Sequence, residues 1–412
     1  MISHMKLLLS LLLLACSRDG HIALVAKEAS IDSILYVILD DVSEEDLAAA
    51  QTPNIDALAL TGCTFTSAFV SPNCITSRRS LMFGTWSVRG SGPACQPPTS
   101  EAPALDDVSV AELSLIPSMM AGKWHLGGNS TGGPYECAAQ AQGFQVWSGL
   151  SGNVNSCGGS GYEDWDLVSS CSSSTSSAYH PQDTTDALVS WWVASKGPRL
   201  AVMSLNLAHA PFHDPPASVL PPGYPTPTNK WERFHAMITA YDFLLGQVLS
   251  NVDMERTLVV VVGDNGTPPP VAPVHAKSKG TVYDRGIHVP LIISHGSFSQ
   301  TSSSELVAGV DAYATIADFL GSSEYGDGMS LRPALLGLPF QGREYILTGV
   351  PEQVAARSAG YKLIRALPSG AELFFDLTSD PAENTDVLDD PAYATLVLEH
   401  RAWLDANLPS AQ

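Results

Sequence analysis

Cys74 and Arg78, four residues apart, are a pair of side chains that could act together on an anionic substrate. Ser71, Pro72 and Asn73 predict a turn, and the residues after Cys74 can continue as a helix. The thiol would then lie at a helix N-terminus, where free backbone N–H groups favour anions. Arg78 would lie one turn later on the same face, and its planar fork suits sulfate or phosphate oxygens. Taken alone, the segment is more typical of a buried Cys beside a surface Arg.

Four oxygen-bearing side chains follow two apolar runs and could hold a hard cation. Asp40 and Asp41 follow ILYVIL, and Asp264 and Asn265 come directly after TLVVVVG. Carboxylate and amide oxygens suit calcium, and clustered carboxylates would repel one another without a cation. Either pair alone is more typical of a turn that ends a strand. Two pairs at the ends of two strands indicate a metal site.

Two lysines and two histidines lie in segments that could supply positive charge or move a proton. Lys123 and His125 are two residues apart in GKWHLG and would share one side of an extended segment. His209 follows an apolar run at 199–207, and Lys279 lies in a loop from which it could reach the same strand ends. For each motif in isolation, a solvated Lys or a packed His is the commoner case.

Three continuous apolar runs, at residues 33–39, 199–207 and 257–262, must position these side chains. Unbroken β-branched runs of this length predict strands buried on both faces, as in a parallel sheet. Ligands of open α/β sheets bind beyond the carboxyl ends of the strands. The candidate residues that follow the three runs are therefore expected to share one site.

The rest of the chain predicts helices and a second, smaller sheet. Apolar residues at helical spacing cover 237–248 and 307–320, and Gly321 follows as a helix stop. The Ser/Gly-rich segment 151–177 and the proline-rich segment 211–228 predict loops. After about residue 338, YILTG, YKLIR and ELFFDL predict a small antiparallel sheet with a final helix near 392–408.

Composition excludes one class of partner. The 412 residues carry a net charge of −21, which leaves no basic surface for the phosphates of nucleic acid. A local cluster of Lys, Arg and His can still bind a small anion inside an acidic protein. The hydrophobic content of 45% is enough for a sizeable core.

The first sixteen residues predict export. Lys6 precedes an apolar run at 7–15 that is too short to span a bilayer. The run ends in LLAC, which is typical of a bacterial lipobox with Cys16 lipidated after cleavage. An ordinary signal peptide cleaved near Ala15 is the alternative. Both interpretations predict export to the periplasm or the cell surface. Only the lipobox predicts a link to the membrane, a lipid anchor at Cys16.

The remaining cysteines divide into a buried thiol and four loop residues. Cys63 lies in an apolar, strand-like context and is predicted to be a buried thiol. Four others lie in Gly/Ser/Pro-rich segments where an oxidising compartment favours disulfides: Cys95, Cys137, Cys157 and Cys171. Sequence alone does not determine their connectivity. We expect the bridge Cys157–Cys171, which closes a short polar loop.

Taken together, these motifs resemble those of the sulfatase family, within the alkaline phosphatase superfamily. The order and rough spacing match for the DD pair, TPN at 52–54, the Cys74 segment, GKWHLG, HAPF, GDNG and KGTVYDRGIHVP. ELFFDLTSDPAEN resembles the C-terminal segment of the family, and the likeness runs from about residue 34 to residue 387. GKWHLG and the stretch from Lys279 to Pro290 are the most specific pieces.

The resemblance implies an α/β fold, with a large mixed, mostly parallel sheet flanked by helices as in alkaline phosphatase. It implies a catalytic domain at 22–338 and a small C-terminal α+β subdomain at 339–412, after the export segment at 1–16. Three positions depart from the family pattern. Thr76 stands where Pro is usual, Thr85 where an Arg is common, and His288 where Arg precedes Val-Pro.

The same resemblance implies a cofactor and a modification. Calcium would be bound by residue 74 and four oxygen ligands: Asp40, Asp41, Asp264 and Asn265. Cys74 would be oxidised by a formylglycine-generating enzyme to formylglycine, the catalytic nucleophile. Five side chains would surround the sulfate: Arg78, Lys123, His125, His209 and Lys279.

In the implied mechanism, hydrated formylglycine attacks sulfur and Asp264 takes its proton. Arg78 and the two lysines stabilise charge in the transition state. His209 or Lys279 protonates the leaving alcohol. His125 then takes a proton from the second hydroxyl, which expels sulfate and restores the aldehyde.

The implied function is hydrolysis of an aryl or carbohydrate sulfate monoester. Two alternatives stay open: a phosphomonoester or phosphonate-ester hydrolase of the same superfamily, and a surface lipoprotein that binds sulfated glycans without cleaving them. Specificity is expected in the loops of 144–232, where Trp147, Trp165 and Trp231 could stack on a ring. Each of these could equally be a core or hinge residue.

Overall fold

The computed structural model describes residues 31–86, 107–127, 135–155, 159–298, 301–367 and 369–408. The proposed export segment with Cys16, together with Cys95 and Cys157, lies outside the described residues. Among the helices within these ranges, none is long and apolar enough to cross a membrane.

The described residues form strands and helices that are numbered in chain order. The strands are β1 (Ser33–Leu39), β2 (Gly62–Phe65), β3 (Ala68–Phe69), β4 (Ser118–Lys123), β5 (Val146–Leu150), β6 (Trp165–Ser169), β7 (Ser172–Ser176), β8 (Leu200–Ser204), β9 (Thr257–Gly263), β10 (Leu291–Ser294), β11 (Thr301–Ser303), β12 (Val307–Ala308), β13 (Ile346–Val350), β14 (Gln353–Arg357), β15 (Tyr361–Ala366) and β16 (Glu372–Asp376). The helices are α1 (Glu44–Ala49), α2 (Pro53–Leu60), α3 (Cys74–Phe83), α4 (Ala138–Ala141), α5 (His180–Ala194), α6 (Lys230–Leu249), α7 (Asp284–Ile287), α8 (Gly309–Phe319), α9 (Arg332–Leu335) and α10 (Ala394–Asn407).

The main sheet confirms the predicted mixed, mostly parallel architecture. Its order is β11-β2-β10-β9-β1-β8-β4-β5-β6-β7. In its centre, β9, β1, β8, β4 and β5 run parallel, whereas β10, β6 and β7 pair antiparallel with their neighbours. The three apolar runs of the sequence are thus adjacent strands, and their carboxyl ends meet at one edge.

Side chains of β1 alternate between two hydrophobic cores. Ile34, Tyr36 and Ile38 pack on the face covered by α3 and α8. Leu35 and Val37 pack on the opposite face, which α5 and α6 cover. Burial on both faces explains why the run is continuously apolar rather than alternating.

Two predictions for the segment 151–177 are wrong. The segment was predicted to be a loop, but β6 and β7 form a hairpin at the edge of the sheet. A Ser-rich strand such as β7 is held by backbone pairing and stays exposed, so its sequence carries no apolar pattern. The turn of this hairpin also places Cys171 beside Cys137, and these two residues form the disulfide instead of Cys157–Cys171. Cys63 is a buried free thiol, as predicted.

The C-terminal part forms a separate four-stranded antiparallel sheet in the order β13-β14-β15-β16. Three of its strands correspond to the predicted apolar runs, and β14 was not predicted. Helix α10 packs on this sheet through Val397 and Leu404. The helix begins at Ala394, slightly later than predicted, because Pro391–Tyr393 forms a 3₁₀ turn.

Candidate active site

The carboxylates of the site follow β1 and β9, two paired parallel strands. Leu39 is opposite Gly263 in the register, so Asp40 and Asp264 leave the sheet side by side. The Asp264 amide donates to Leu39 O at 2.9 Å. Asp41 adopts a left-handed backbone with φ 65°, and its amide donates to Asp264 Oδ1 at 3.1 Å. The two strand ends therefore form one acidic group that is buried from solvent.

Cys74 is the first residue of α3, as the sequence predicted. The preceding Asn73 caps the helix, because its side chain accepts a hydrogen bond from the Thr76 amide at 3.1 Å. Cys74 Sγ lies 3.6 Å from Asp40 Oδ1 and 3.7 Å from Asp41 Oδ1. The following four residues each offer one ligand atom, and these atoms lie within 4.8 Å of one another: Asp40, Asp41, Cys74 and Asp264.

Two lysines reach this cluster from different loops. Lys123, the last residue of β4, places Nζ 2.6 Å from Asp40 Oδ2 and is fully buried. Lys279 forms an ion pair with Asp41, and its Nζ lies 3.1 Å from Cys74 Sγ. Neither contact is local in sequence. Both arise because these segments meet at the same edge of the sheet.

Two of the three nitrogens of the Arg78 guanidinium donate hydrogen bonds to other groups of the protein. Its Nε donates to Asp264 Oδ2 at 2.9 Å, and its Nη1 donates to Lys123 O at 2.8 Å and Ser204 Oγ at 2.6 Å. Nη2 is buried without a hydrogen-bond partner among the described residues. Arg78 therefore has one nitrogen, Nη2, with two N–H groups left for a ligand. The sequence interpretation missed Ser204, whose only signal is a small polar residue near the end of an apolar run.

The donor set fits a hard cation. Asn265 Nδ2 donates to Asp41 Oδ1 at 2.8 Å, whereas Asn265 Oδ1 is buried and has no partner among the described residues. A buried amide oxygen without a donor costs free energy unless a cation or water binds it. Three carboxylates beside it match the oxygen ligands that calcium takes in proteins. Arg78, Lys123 and Lys279 already face these carboxylates. A divalent ion would therefore make the total charge of the centre positive, which suits an anionic substrate.

The two histidines lie at the border of the cluster. His209 Nδ1 lies 2.8 Å from Ala210 O, which can only accept, so Nδ1 carries the proton in the neutral ring. His209 Nε2 is 4.0 Å from Asp41 Oδ2. His125 has a left-handed backbone with φ 59°, and its Nδ1 is buried without a partner among the described residues.

Tyr162 supports His209 from the outer part of the sheet. Its hydroxyl lies 2.7 Å from His209 O and 2.5 Å from Asn206 O, so it bridges the two ends of the turn that follows β8. The ring stacks on His213 with centroids 4.2 Å apart. No sequence pattern marked Tyr162, because it lies in the segment predicted to be a loop.

Burial and charge set the protonation of the site. Burial raises the pKa of the Cys74 thiol to about 12. Burial and the nearby cations hold the pKa of His125 well below its usual value, and burial also lowers the pKa of His209. Burial alone would lower the pKa of Lys279, but Asp41 together with the other acidic groups of the cluster outweighs burial and holds this pKa well above the usual value. At neutral pH the unmodified site thus contains a neutral thiol, neutral imidazoles and a protonated Lys279.

The structure brings together every residue that the sequence singled out for the site, but not all the proposed ring-binding tryptophans. Trp147 and Trp165 are core residues, with 1% and 0% of their surface exposed, so stacking on a substrate is wrong for both. Trp147 of β5 packs in the core on one face of the main sheet, and Trp165 of β6 packs in the core on the other face. Trp231 lies at the start of α6 and is 50% exposed.

Comparison with known proteins is consistent with this geometry. A family model described as Sulfatase matches residues 32–322. Human arylsulfatase A is 25% identical over 431 residues, which cover 88% of this chain and 84% of that protein.

Solved structures share the fold. One is a protein bound to its substrate D-glucosamine-2-N,6-O-disulfate, with a TM-score of 0.72 and 17% identity; the match covers 91% of this chain and 97% of that chain. Phosphonate monoester hydrolase of Agrobacterium radiobacter has a TM-score of 0.69 and 17% identity, over 91% and 95% of the two chains.

Proposed function

The chain belongs to the sulfatase family, and we propose that it hydrolyses a sulfate monoester of an aryl or carbohydrate alcohol at the cluster around Cys74. One observation supports this most strongly. Three carboxylates and the thiol place ligand atoms within 4.8 Å of one another, and two lysines and an arginine lie against them. This arrangement can bind a cation and a tetrahedral anion side by side.

Calcium is the proposed metal, held by residue 74 and by four oxygen ligands: Asp40, Asp41, Asp264 and Asn265. The unpartnered Asn265 Oδ1 supports this assignment, because it is a hard donor buried beside three carboxylates. When bound, the ion would supply Lewis acidity and balance the negative charge of its ligands.

Formylglycine at residue 74 is the proposed nucleophile. The position of residue 74 supports this proposal, because its side chain lies against two proposed metal ligands, Asp40 and Asp41, and against the Lys279 ammonium. The thiol is also only 4% exposed, so a formylglycine-generating enzyme would have to act before the chain folds. When present, the hydrated aldehyde would supply the attacking hydroxyl.

The other residues of the site bind the sulfuryl group and move protons. Lys123, Lys279 and the free Nη2 of Arg78 are proposed to bind its oxygens and stabilise the charge that develops on them. Neutral His125 is suited to accept a proton, and Asp264 accepts the proton of the nucleophile.

The leaving alcohol needs a proton donor. Either Lys279, which carries a proton in the folded site, or His209 gives it a proton, because both lie on loops around Asp41 at the border of the cluster. His209 could donate through Nε2 only in its doubly protonated form, since Nδ1 holds the proton of the neutral ring.

The proposed substrate class includes sulfated sugars. The neighbour bound to D-glucosamine-2-N,6-O-disulfate supports this, although that likeness concerns the fold alone. Trp231 remains the proposed stacking residue for a ring of the substrate. Export, with a lipid anchor at Cys16, likewise remains a proposal.

A phosphonate-ester hydrolase is the second candidate, because phosphonate monoester hydrolase shares the fold. The test is a comparison of kcat/KM for an aryl sulfate, an aryl phosphate and an aryl phosphonate that share one phenol. We expect the sulfate to be preferred by the wild type and all three to be inert with Cys74→Ala. Preference for a phosphorus ester would support the second candidate, and binding of all three without turnover would support a glycan-binding protein.

A further inference from the structure

Lys279 lies in a loop, residues 275–284, that is held from two sides. On the inner side, the Lys279 amide donates to Thr267 O at 2.9 Å and the Gly280 amide donates to Pro72 O at 2.7 Å. These bonds tie the loop to the segments that follow β9 and precede α3. They hold the backbone of Lys279 and Gly280 beside the site, but they do not contact the outer half of the loop, which faces away from the site.

The outer half is bound by one short segment after β16, residues 382–384. Lys277 Nζ donates to Ala382 O at 3.0 Å, to Glu383 O at 2.7 Å and to Asn384 Oδ1 at 2.8 Å. At the other end of the loop, the Asp284 amide donates to Glu383 Oε2 at 2.7 Å. Both ends of the Lys279 loop therefore contact Glu383.

Lys362 of β15, in the small sheet, binds both the Lys279 loop and Glu383. Its Nζ is fully buried and donates to Glu383 Oε1 at 2.7 Å and to Val282 O at 3.0 Å. Lys362 also forms an ion pair with Asp284. Val282 is fully buried in a cluster with residues of the small sheet: Ala355, Ile364, Phe375 and Leu377. The loop thus packs on the small sheet as well as on the catalytic edge.

Glu383 is an unusual residue for a connection that follows a strand. It adopts a left-handed backbone with φ 57° and is only 3% exposed. A non-glycine residue in this conformation is strained and persists only where its surroundings hold it. Both of its carboxylate oxygens are used, one for Lys362 and one for the loop.

We propose that Glu383 is a positioning residue for Lys279, through which the small C-terminal sheet sets the position of the ammonium relative to residue 74. This inference rests on the proposed role of Lys279 in catalysis. Lysine has a flexible stem, so the reach of its Nζ depends on where the backbone of the loop is held. A displacement of about 1 Å in a catalytic group is enough to reduce turnover strongly.

The first experiment compares Glu383 with Glu372 of β16, because each of these glutamates accepts hydrogen bonds from two groups. Glu383→Gln keeps the side-chain size but loses the ion pair with Lys362. Glu372→Gln is the matched control, because Glu372 accepts from Arg365 at 2.7 Å and from Arg401 at 2.6 Å. We expect Glu383→Gln to lower kcat for an aryl sulfate roughly tenfold or more with a small change in KM. Glu372→Gln should keep kcat.

The second experiment separates positioning from general stability. In a Lys279→Ala background, Glu383→Gln should cause no further loss of kcat, because there is no ammonium left to position. If the two substitutions together lower kcat by the product of their separate effects, Glu383 acts by another route and the proposal is overturned. Lys277→Met is measured in parallel, because it removes three hydrogen bonds without leaving a buried charge. It should lower kcat as Glu383→Gln does, even if the latter folds poorly.

The outcomes distinguish this inference from the proposed function. If Lys279→Ala loses activity while Glu383→Gln and Lys277→Met keep it, the positioning role is wrong and the proposed function stands. If Lys279→Ala keeps full activity, the catalytic role of Lys279 is wrong and the positioning role is wrong with it.

Discussion

Lys279 Nζ lies 3.1 Å from Cys74 Sγ, although 205 residues separate them in the sequence. The same ammonium forms an ion pair with Asp41, so it touches both the proposed nucleophile position and a proposed metal ligand. From this position the Lys279 ammonium would stabilise the negative charge that develops on the sulfuryl oxygens during the reaction. This relationship connects the metal site, the modified residue and the sulfuryl group.

The role of Lys279 can be tested by removal of its ammonium. Lys279→Ala should lower kcat for an aryl sulfate roughly a hundredfold or more, with a smaller effect on KM, because the donor stabilises the transition state. Lys196→Ala is a suitable control, since Lys196 is exposed and its Nζ binds only Val193 O in the described residues. Steady-state kinetics of both variants measure the effect, and a normal kcat for Lys279→Ala would exclude Lys279 from catalysis.

Removal of calcium should lower both activity and melting temperature. A cation that binds only the folded state stabilises it, and without the ion the buried Asn265 Oδ1 stays unpaired. Thermal unfolding and aryl sulfatase activity are measured with chelator and after calcium is restored. Asp264→Asn should lose most of the response to chelator. A wild-type melting temperature that does not change on chelation would contradict the metal site.

Thr76 should limit the yield of formylglycine. The proposed formylglycine-generating enzyme would bind this segment in an extended form, and Pro at this position would restrict the backbone before binding and lower the entropy cost. Thr76→Pro should therefore raise the modified fraction and the specific activity in proportion when the protein is made in a heterologous host.

The same substitution has a cost in the folded state. The Thr76 amide donates to Asn73 Oδ1 at 3.1 Å, and Pro has no N–H. Loss of this cap should lower the free energy of unfolding by about 1 kcal/mol, although Pro fits the first turn of a helix. Peptide mass spectrometry and urea unfolding measure the two effects separately. An unchanged modified fraction in Thr76→Pro would contradict the recognition argument.

His180 should make the protein less stable at acidic pH. Burial lowers its pKa to about 3, and neither ring nitrogen has a partner in the described part of the chain. The neutral form is kept in the folded state, whereas the unfolded chain binds a proton below about pH 6.5. The contribution of His180 to the free energy of unfolding is therefore fully present above about pH 6.5. It is lost progressively as the pH falls from there to about pH 3. The loss is roughly 1.4 kcal/mol per pH unit from this group.

His180→Phe tests this linkage, because Phe keeps a ring against Trp165 but does not titrate. Urea unfolding between about pH 7 and pH 5, where the unfolded histidine takes up its proton, should show a weaker acid dependence in this variant than in the wild type. The exposed His275 provides a control, and His275→Gln should keep the wild-type slope. Equal slopes for all three proteins would exclude His180 as a source of the acid sensitivity.

The central strands of the main sheet could be predicted from the sequence, because a strand that is buried on both faces is apolar throughout. The run in β1 is apolar throughout, since its residues fill two cores. Once the strands are parallel and adjacent, the polar residues that follow them must lie at one edge. The proximity of Asp40, Asp264 and His209 could therefore be predicted before any contact was known.

Features that depend on distant partners could not be predicted. The disulfide partner of Cys171 depends on where the β6–β7 hairpin lies relative to Cys137. Strand β14 contains two alanines, which are depleted in strands, and becomes a strand because neighbours pair on both sides. Tyr162 and Glu383 support catalytic loops from other elements, and no local pattern marks such a role.

The central claim is that residue 74 is the modified nucleophile of a sulfate ester hydrolase. The most direct measurement is the mass of the tryptic peptide ending at Arg78, taken from the same preparations that are assayed with an aryl sulfate. Residue 74 should be formylglycine in a fraction that scales with specific activity, and Cys74→Ala should be folded but inactive. Full activity from a protein whose residue 74 is entirely unmodified cysteine would contradict it.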